Sequence, residues 1–116
     1  MEKVNSLFVI GFSVGILLLI ISIFILKFPP KKINGWYGYR SASSMKSQER
    51  WDFAQIYSSR IMLKVALGMV FIGILGIKIQ TSETLGTAIS LGTMIIMLGV
   101  MVYKTETAIH KKFNNA

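Results

Sequence analysis

The sequence predicts an all-α integral membrane protein of three transmembrane helices, with a short amphipathic interfacial helix before the second. Three observations carry that prediction. Residues 7–26 and 84–103 are each twenty residues without a charge, and the apolar run 61–77 is broken only by Lys64. The chain is 53% hydrophobic but only 16% charged, against about 25% charged in a soluble domain. The charges gather between the apolar runs, so lipid can solvate what water would not. A chain of 116 residues is expected to be one domain.

The first transmembrane helix is expected over about 6–28. At about 1.5 Å per residue its apolar run matches a hydrocarbon core of roughly 30 Å. A signal peptide has a shorter apolar stretch and a small-residue cleavage site. Here the run meets Lys27, Phe28, Pro29, Pro30, Lys31 and Lys32, so a retained helix is expected. Pro29 and Pro30 end it, because proline lacks the backbone donor and clashes with the preceding turn.

Residues 29–46 read as a loop, with Gly35 and Gly38 permitting turns and Ser41, Ser43 and Ser44 continuing the loop character. Ser47 suits an N-cap, with Glu49 favoured in the first turn by the helix dipole. Phe53, Tyr57 and Ile61 fall four apart, while Asp52, Gln55 and Ser59 lie off that row. This pattern predicts an interfacial helix over 47–60, lying on the membrane surface or against a partner helix.

The second transmembrane helix is expected over about 61–79, the third over about 84–104, and a basic tail over 105–116. Lys64 sits one turn inside the end of its run, where snorkelling to the headgroups is expected rather than a buried functional role. The first loop and its borders carry Lys27, Lys31, Lys32, Arg40, Lys46 and Arg50, and the tail carries Lys104, Lys111 and Lys112. The second loop has only Lys78 and the N-terminus only Lys3. The positive-inside rule then predicts a cytoplasmic first loop and C-terminus and an outside N-terminus.

Small residues mark all three runs: Gly11 and Gly15, then Gly68, Gly73 and Gly76, then Gly86, Ser90, Gly92 and Gly99. Packing within the bundle is their expected use, with homo-oligomerisation as the open alternative. The net charge of +8 would suit nucleic acid in a soluble protein. Basic residues flanking apolar runs are instead membrane anchors, so the bilayer is the expected partner and direct nucleic-acid binding is not.

Catalytic chemistry has no foothold. There is no cysteine, and His110 stands alone in a basic tail without metal or base partners. No phosphate-binding glycine loop or nucleophile–base pair occurs. Glu2, Glu49, Asp52, Glu83 and Glu106 all flank the apolar runs, whereas a proton-coupled exporter normally needs a carboxylate within the membrane. Neither a cofactor nor an enzymatic activity is expected.

The densest cluster is Asn34-Gly35-Trp36-Tyr37-Gly38-Tyr39-Arg40. On physics alone an aromatic belt at the headgroup layer accounts for it, with a recognition site as the alternative. The residues that follow shift that balance. Asn34, Trp36, Tyr37, Gly38, Tyr39 and Arg40, then Ser44 and Met45, then Trp51 and Ala54 resemble the signature of the SdpI family of membrane immunity proteins, which includes short YfhL-like members. The sequence departs from that signature at Ser41, where the family has threonine, and at Ser47 and Gln55, where asparagine is common. All three keep a polar hydrogen-bonding group.

The resemblance implies protection of the producing cell against a secreted antimicrobial peptide or protein toxin. It also implies a bacterial cell membrane as the location. In the best-known system of this family the immunity protein also sequesters a cytoplasmic transcriptional repressor at the membrane, a role that the motif does not imply for a short member. A regulatory anchor of that kind and a lipid-binding subunit are the alternatives to immunity. Trp36, Tyr37, Tyr39, Arg40 and Trp51 are the expected functional surface, with Asn34 and Gly38 shaping the loop and Ser44, Met45, Ala54 and Gln55 completing the motif.

Overall fold

In the computed structural model, which describes residues 5–113, the chain forms three helices. These are α1 (Ser6–Lys27), α2 (Gln48–Lys78) and α3 (Glu83–Phe113). A single 3-10 turn, Ser44–Lys46, precedes α2. All three helices are long and apolar enough to cross a membrane. The protein is therefore an all-helical, multi-pass membrane protein. Lys3, Glu2 and the last residues of the tail, 114–116, lie outside the described residues.

Local signals set the helix ends. Asn5 caps α1, its side-chain oxygen accepting from the Phe8 N–H at 3.2 Å. The helix stops at Lys27, just before the two prolines. Ser47 caps α2 by accepting from the Arg50 N–H at 3.2 Å, with Glu49 in the first turn. A proline-free, glycine-free stretch then carries the helix from Gln48 through Arg60 into the apolar run.

For that reason residues 47–60 do not form a separate interfacial helix. They are the first turns of one unbroken 31-residue helix. Their inward face is also not the aromatic row. Trp51, Ala54, Gln55, Ser58 and Ser59 are buried, while Phe53 and Tyr57 are only partly so. Gln55 turns inward because the loop offers it backbone groups to bind, while Ser58 donates to the Gln55 carbonyl of its own helix. The aromatic row packs along the outside instead, with Phe53 edge-on to Phe113 of α3 at 5.8 Å. The expected basic tail is likewise helical as far as Phe113.

Helix length explains the shape. The 22 residues of α1 span about 33 Å, close to the hydrocarbon core, while the 31 residues of α2 and of α3 span about 46 Å. The excess of α2 and α3 projects beyond the bilayer at the loop end, and the molecule measures 56 × 25 × 20 Å. The loop between α1 and α2 packs onto those projecting turns.

Within the membrane α1 crosses α2 on a glycine seam. A Cβ built on Gly73 would lie 2.5 Å from the Phe12 backbone nitrogen, and one on Gly11 would lie 3.1 Å from the Gly73 Cα. Gly15 and Gly76 meet the facing helix equally closely. Leu18, Val65, Ala66 and Met69 form the core below this seam, with Met94 and Met97 of α3 packed against it. Gly92 and Gly99 have no atom within 4 Å of a built Cβ, so they take no part in packing within the chain. Outward residues such as Phe71 and Ile96, 61% and 68% exposed, form the lipid-facing surface expected of a membrane bundle.

Gly73→Ile should force α1 and α2 apart, since its side chain would meet backbone rather than a movable side-chain end. Thermal unfolding in detergent should show a loss of about 1–3 kcal/mol, the usual cost of overpacking. Gly99→Ile should leave the midpoint unchanged.

Candidate functional site

The loop is built from its first polar residue. Asn34 accepts from the Trp36 and Tyr37 N–H groups at 3.0 and 2.8 Å and donates to the Lys32 carbonyl at 3.0 Å. This side-chain turn reverses the chain just after the prolines. Tyr37 then donates its hydroxyl to the Phe28 carbonyl at 2.7 Å, tying the loop to the end of α1.

Gly38 comes next, with φ +100, a left-handed conformation that favours glycine. Space imposes the same choice, because a Cβ there would lie 2.5 Å from the Gln55 Oε1 and 2.8 Å from Pro30 Cγ. Behind it the Gln55 amide pairs with both backbone groups of Tyr39. Its Oε1 accepts from the Tyr39 N–H and its Nε2 donates to the Tyr39 carbonyl, each at 2.7 Å. One turn earlier on α2, the fully buried Trp51 donates its indole N–H to the Pro30 carbonyl at 2.6 Å. Ala54 is also fully buried. Gln48 donates to the Lys31 carbonyl at 2.6 Å. The inward face of α2 thus reads out the loop backbone at three successive levels.

A second anchor comes from α3. Glu106 accepts three hydroxyls: Tyr39 and Ser41 each donate to Oε2 at 2.6 Å, and Ser43 donates to Oε1. Burial first, and then the hydrogen bond and charge of Glu106, hold the Tyr39 hydroxyl above its ordinary value of 10.0. Ser44, fully buried, accepts from the Ser41 N–H at 2.9 Å and so sets the turn that presents these hydroxyls. Sequence reasoning counted Glu106 only as a flanking charge. The available signal was a lone carboxylate among the lysines of the tail, opposite a serine-rich loop.

The motif therefore divides into two sets. Asn34, Tyr37, Gly38, Tyr39, Ser44, Trp51, Ala54 and Gln55 are engaged inward or within the loop. Trp36, 77% exposed, faces outward, as do Met45 and Arg40. Trp51, expected on the functional surface, is a core anchor, because its single N–H finds a buried carbonyl. Arg40 donates one N–H to the Gly35 carbonyl, closing the loop on itself.

Under the loop lies a crevice of about 360 Å³, lined by Tyr39, Arg40 and Ser41 above and by Ile25, Met62 and Met101 below. It opens between α1 and α3, where Ile21 and Val102 at its mouth remain exposed. A cationic rim over an apolar floor can take an amphipathic group entering from the bilayer. A helix about 10 Å across would fill that volume within one 5.4 Å turn, so the crevice takes side chains or a tail, not a helix.

A family model described as the SdpI/YfhL protein family matches residues 31–104, which include the loop after its two prolines, α2 and most of α3. The chain belongs to the SdpI/YfhL family. An uncharacterized protein, YfhL, of Bacillus subtilis (strain 168) is 42% identical over 65 residues, covering 56% of this chain and 59% of YfhL. The chain thus spans less than two thirds of that relative's length. No solved structure matches. The family match covers every residue of the motif, including the inward-facing set that builds the loop.

Two substitutions test the loop anchors. Gln55→Leu leaves the Tyr39 N–H and carbonyl unmet, so opening the loop should become easier by about 1–3 kcal/mol. Trypsin should then cut after Arg40 faster than in the parent, while α-helical content stays constant. For Tyr39 the sign follows from a raised value: its protonated form is favoured in the fold. The contribution of the Tyr39–Glu106 bond should be complete below pH 10.0 and be lost as pH rises above it through the folded value. In an ultraviolet titration Tyr39 should ionise last of the tyrosines, and that final step should vanish in Tyr39→Phe.

Proposed function

We propose that this protein is a membrane immunity protein that protects the bacterium making it against a secreted antimicrobial peptide or protein toxin. The observation that carries the reading is the family motif, folded so that its arginine rims a crevice open to the bilayer. Immunity of this kind needs a surface that meets an apolar or amphipathic intruder inside the membrane. The crevice offers apolar side chains from α1, α2 and α3 and a guanidinium with further N–H groups beyond the one spent on Gly35.

On the positive-inside argument the loop faces the cytoplasm. The crevice then opens at the inner leaflet, and the protein acts on a toxin that has already inserted rather than on one arriving at the outer surface. Its apolar side chains would enter between α1 and α3 while a carboxylate or backbone carbonyl meets Arg40.

A second reading is favoured by Trp36. A tryptophan 77% exposed at a loop flanked by Lys31 and Lys32 suits the docking of a soluble partner, such as a transcriptional repressor held at the membrane.

Expression in a toxin-sensitive bacterium should raise survival against at least one secreted antimicrobial peptide or protein. Unchanged killing across a broad panel, with membrane expression verified, would sink the immunity reading. Arg40→Lys should lower protection without reducing membrane insertion, because lysine lacks the planar fork that bonds Gly35 and a ligand together. Trp36→Ala should spare toxin protection but abolish co-purification of any soluble partner.

Orientation has its own check. With single cysteines, Gln80→Cys should react with an impermeant thiol reagent in intact cells. Ala42→Cys, also exposed, should react only after permeabilisation. Labelling of Ala42→Cys in intact cells would reverse the proposed orientation.

A further inference from the structure

Three hollows run along the seam between α2 and α3 at the loop end of the bundle, joined by two shared residues. The one farthest into the membrane, about 250 Å³, has Val65, Met97 and Val100 as apolar lining and Lys64 of α2 and Lys104 of α3 at its sides. The next, about 220 Å³, shares Lys104 and adds Tyr57 and Lys111. The third, about 370 Å³, shares Tyr57 and adds Arg60 and Lys112. Five cations from two helices thus border three adjacent hollows along one groove.

Helical spacing puts them there. On α2, Tyr57, Arg60, Ile61 and Lys64 fall at i, i+3, i+4 and i+7, which is one face; on α3, Lys104, Ala108 and Lys111 do the same. Like charges at i, i+4, as Arg60 and Lys64 are, repel. Among the described residues lining these hollows, Asp52 is the acidic one, and its carboxylate already accepts from Gln48 at 2.7 Å. One carboxylate, in the hollow farthest from Lys64, thus faces five cations, and the hollow between Lys64 and Lys104 has no acidic lining residue. Its depth is set by the sequence: Lys104 directly follows the third apolar run, and Lys64 lies one turn inside the second. That is the level at which lipid phosphates lie.

We propose that this seam is a binding site for an anionic phospholipid of the surrounding leaflet. The phosphate sits between the Lys64 and Lys104 ammonium groups, and the first part of an acyl chain lies on Val65, Met97 and Val100. Basic pockets between membrane helices bind acidic headgroups in this way. The apolar lining selects a lipid over a soluble anion, since a free phosphate gains nothing from three apolar side chains. Lys64 then has a ligand to hold, beyond the snorkelling expected of it. The site lies on the opposite side of α2 from the loop crevice and is independent of toxin protection.

Native mass spectrometry of the full-length protein, released from detergent with phosphatidylglycerol or phosphatidylcholine of matched acyl chains, tests this. Phosphatidylglycerol should be retained preferentially. Lys64→Gln combined with Lys104→Gln should lower its retention on the order of tenfold or more, as loss of two near-surface charges implies. Lys31→Gln with Lys32→Gln, which removes the same charge elsewhere, should leave retention unchanged. Lys64→Arg with Lys104→Arg should preserve it, which separates a lost site from a damaged fold. Equal retention of the two lipids, or equal losses in the two glutamine pairs, would overturn the proposal in favour of diffuse attraction. Displacement of the lipid by millimolar inorganic phosphate would overturn it in favour of a soluble-anion site.

Discussion

The Gln55 side-chain amide is almost fully buried and meets both the N–H and the carbonyl of Tyr39 at 2.7 Å. A buried amide left unmatched costs about 1–3 kcal/mol, so this pairing works in both directions: the loop satisfies Gln55, and Gln55 fixes the loop. Gly38 is pressed against the same amide, and Pro30 against Gly38. With Tyr39 held, its ring reaches Glu106 on α3, and Ser41 and Ser43 follow. The loop thereby ties α2 to α3 at an end where no hydrocarbon presses them together.

That arrangement depends on helices longer than the membrane. α1 ends at the bilayer edge, while α2 and α3 run on for about five further turns between them at the loop end. The projecting turns cannot be held by apolar packing alone, because they stand in water and headgroups. Polar contacts take over: an indole N–H, two amides and a carboxylate clamp. Below them, close helix approach at the glycine seam supplies dispersion where lipid removes the hydrophobic drive.

Two grooves result, and they differ in kind. The crevice under the loop is walled by the motif, with the exposed Arg40 at its rim above apolar side chains. The α2–α3 seam is walled by lysines and one arginine that repel one another. The first can be selective, since its donors are fixed by the loop. The second draws on charge and depth, and an occupied lipid site there would hold the two projecting helices together from the side opposite the loop.

By itself the sequence determined the three spans, the helix ends at the double proline and at Ser47, and the family, because each rests on local spacing or on residues near in the chain. The turn-forming roles of Asn34 and Gly38 were legible for the same reason. The continuity of α2 was not: an amphipathic stretch followed by an apolar one reads as two elements, and only the absence of a breaker at Arg60 and Ile61 joins them. The inward face of α2 was also hidden, since Gln55 and Ser59 look like solvent-facing residues until the loop folds over them. Glu106 stands sixty-five residues from Ser41, beyond any local pattern. Tertiary structure alone decided these, because a polar side chain goes where its hydrogen-bonding partners are, and those partners arrive from distant parts of the chain.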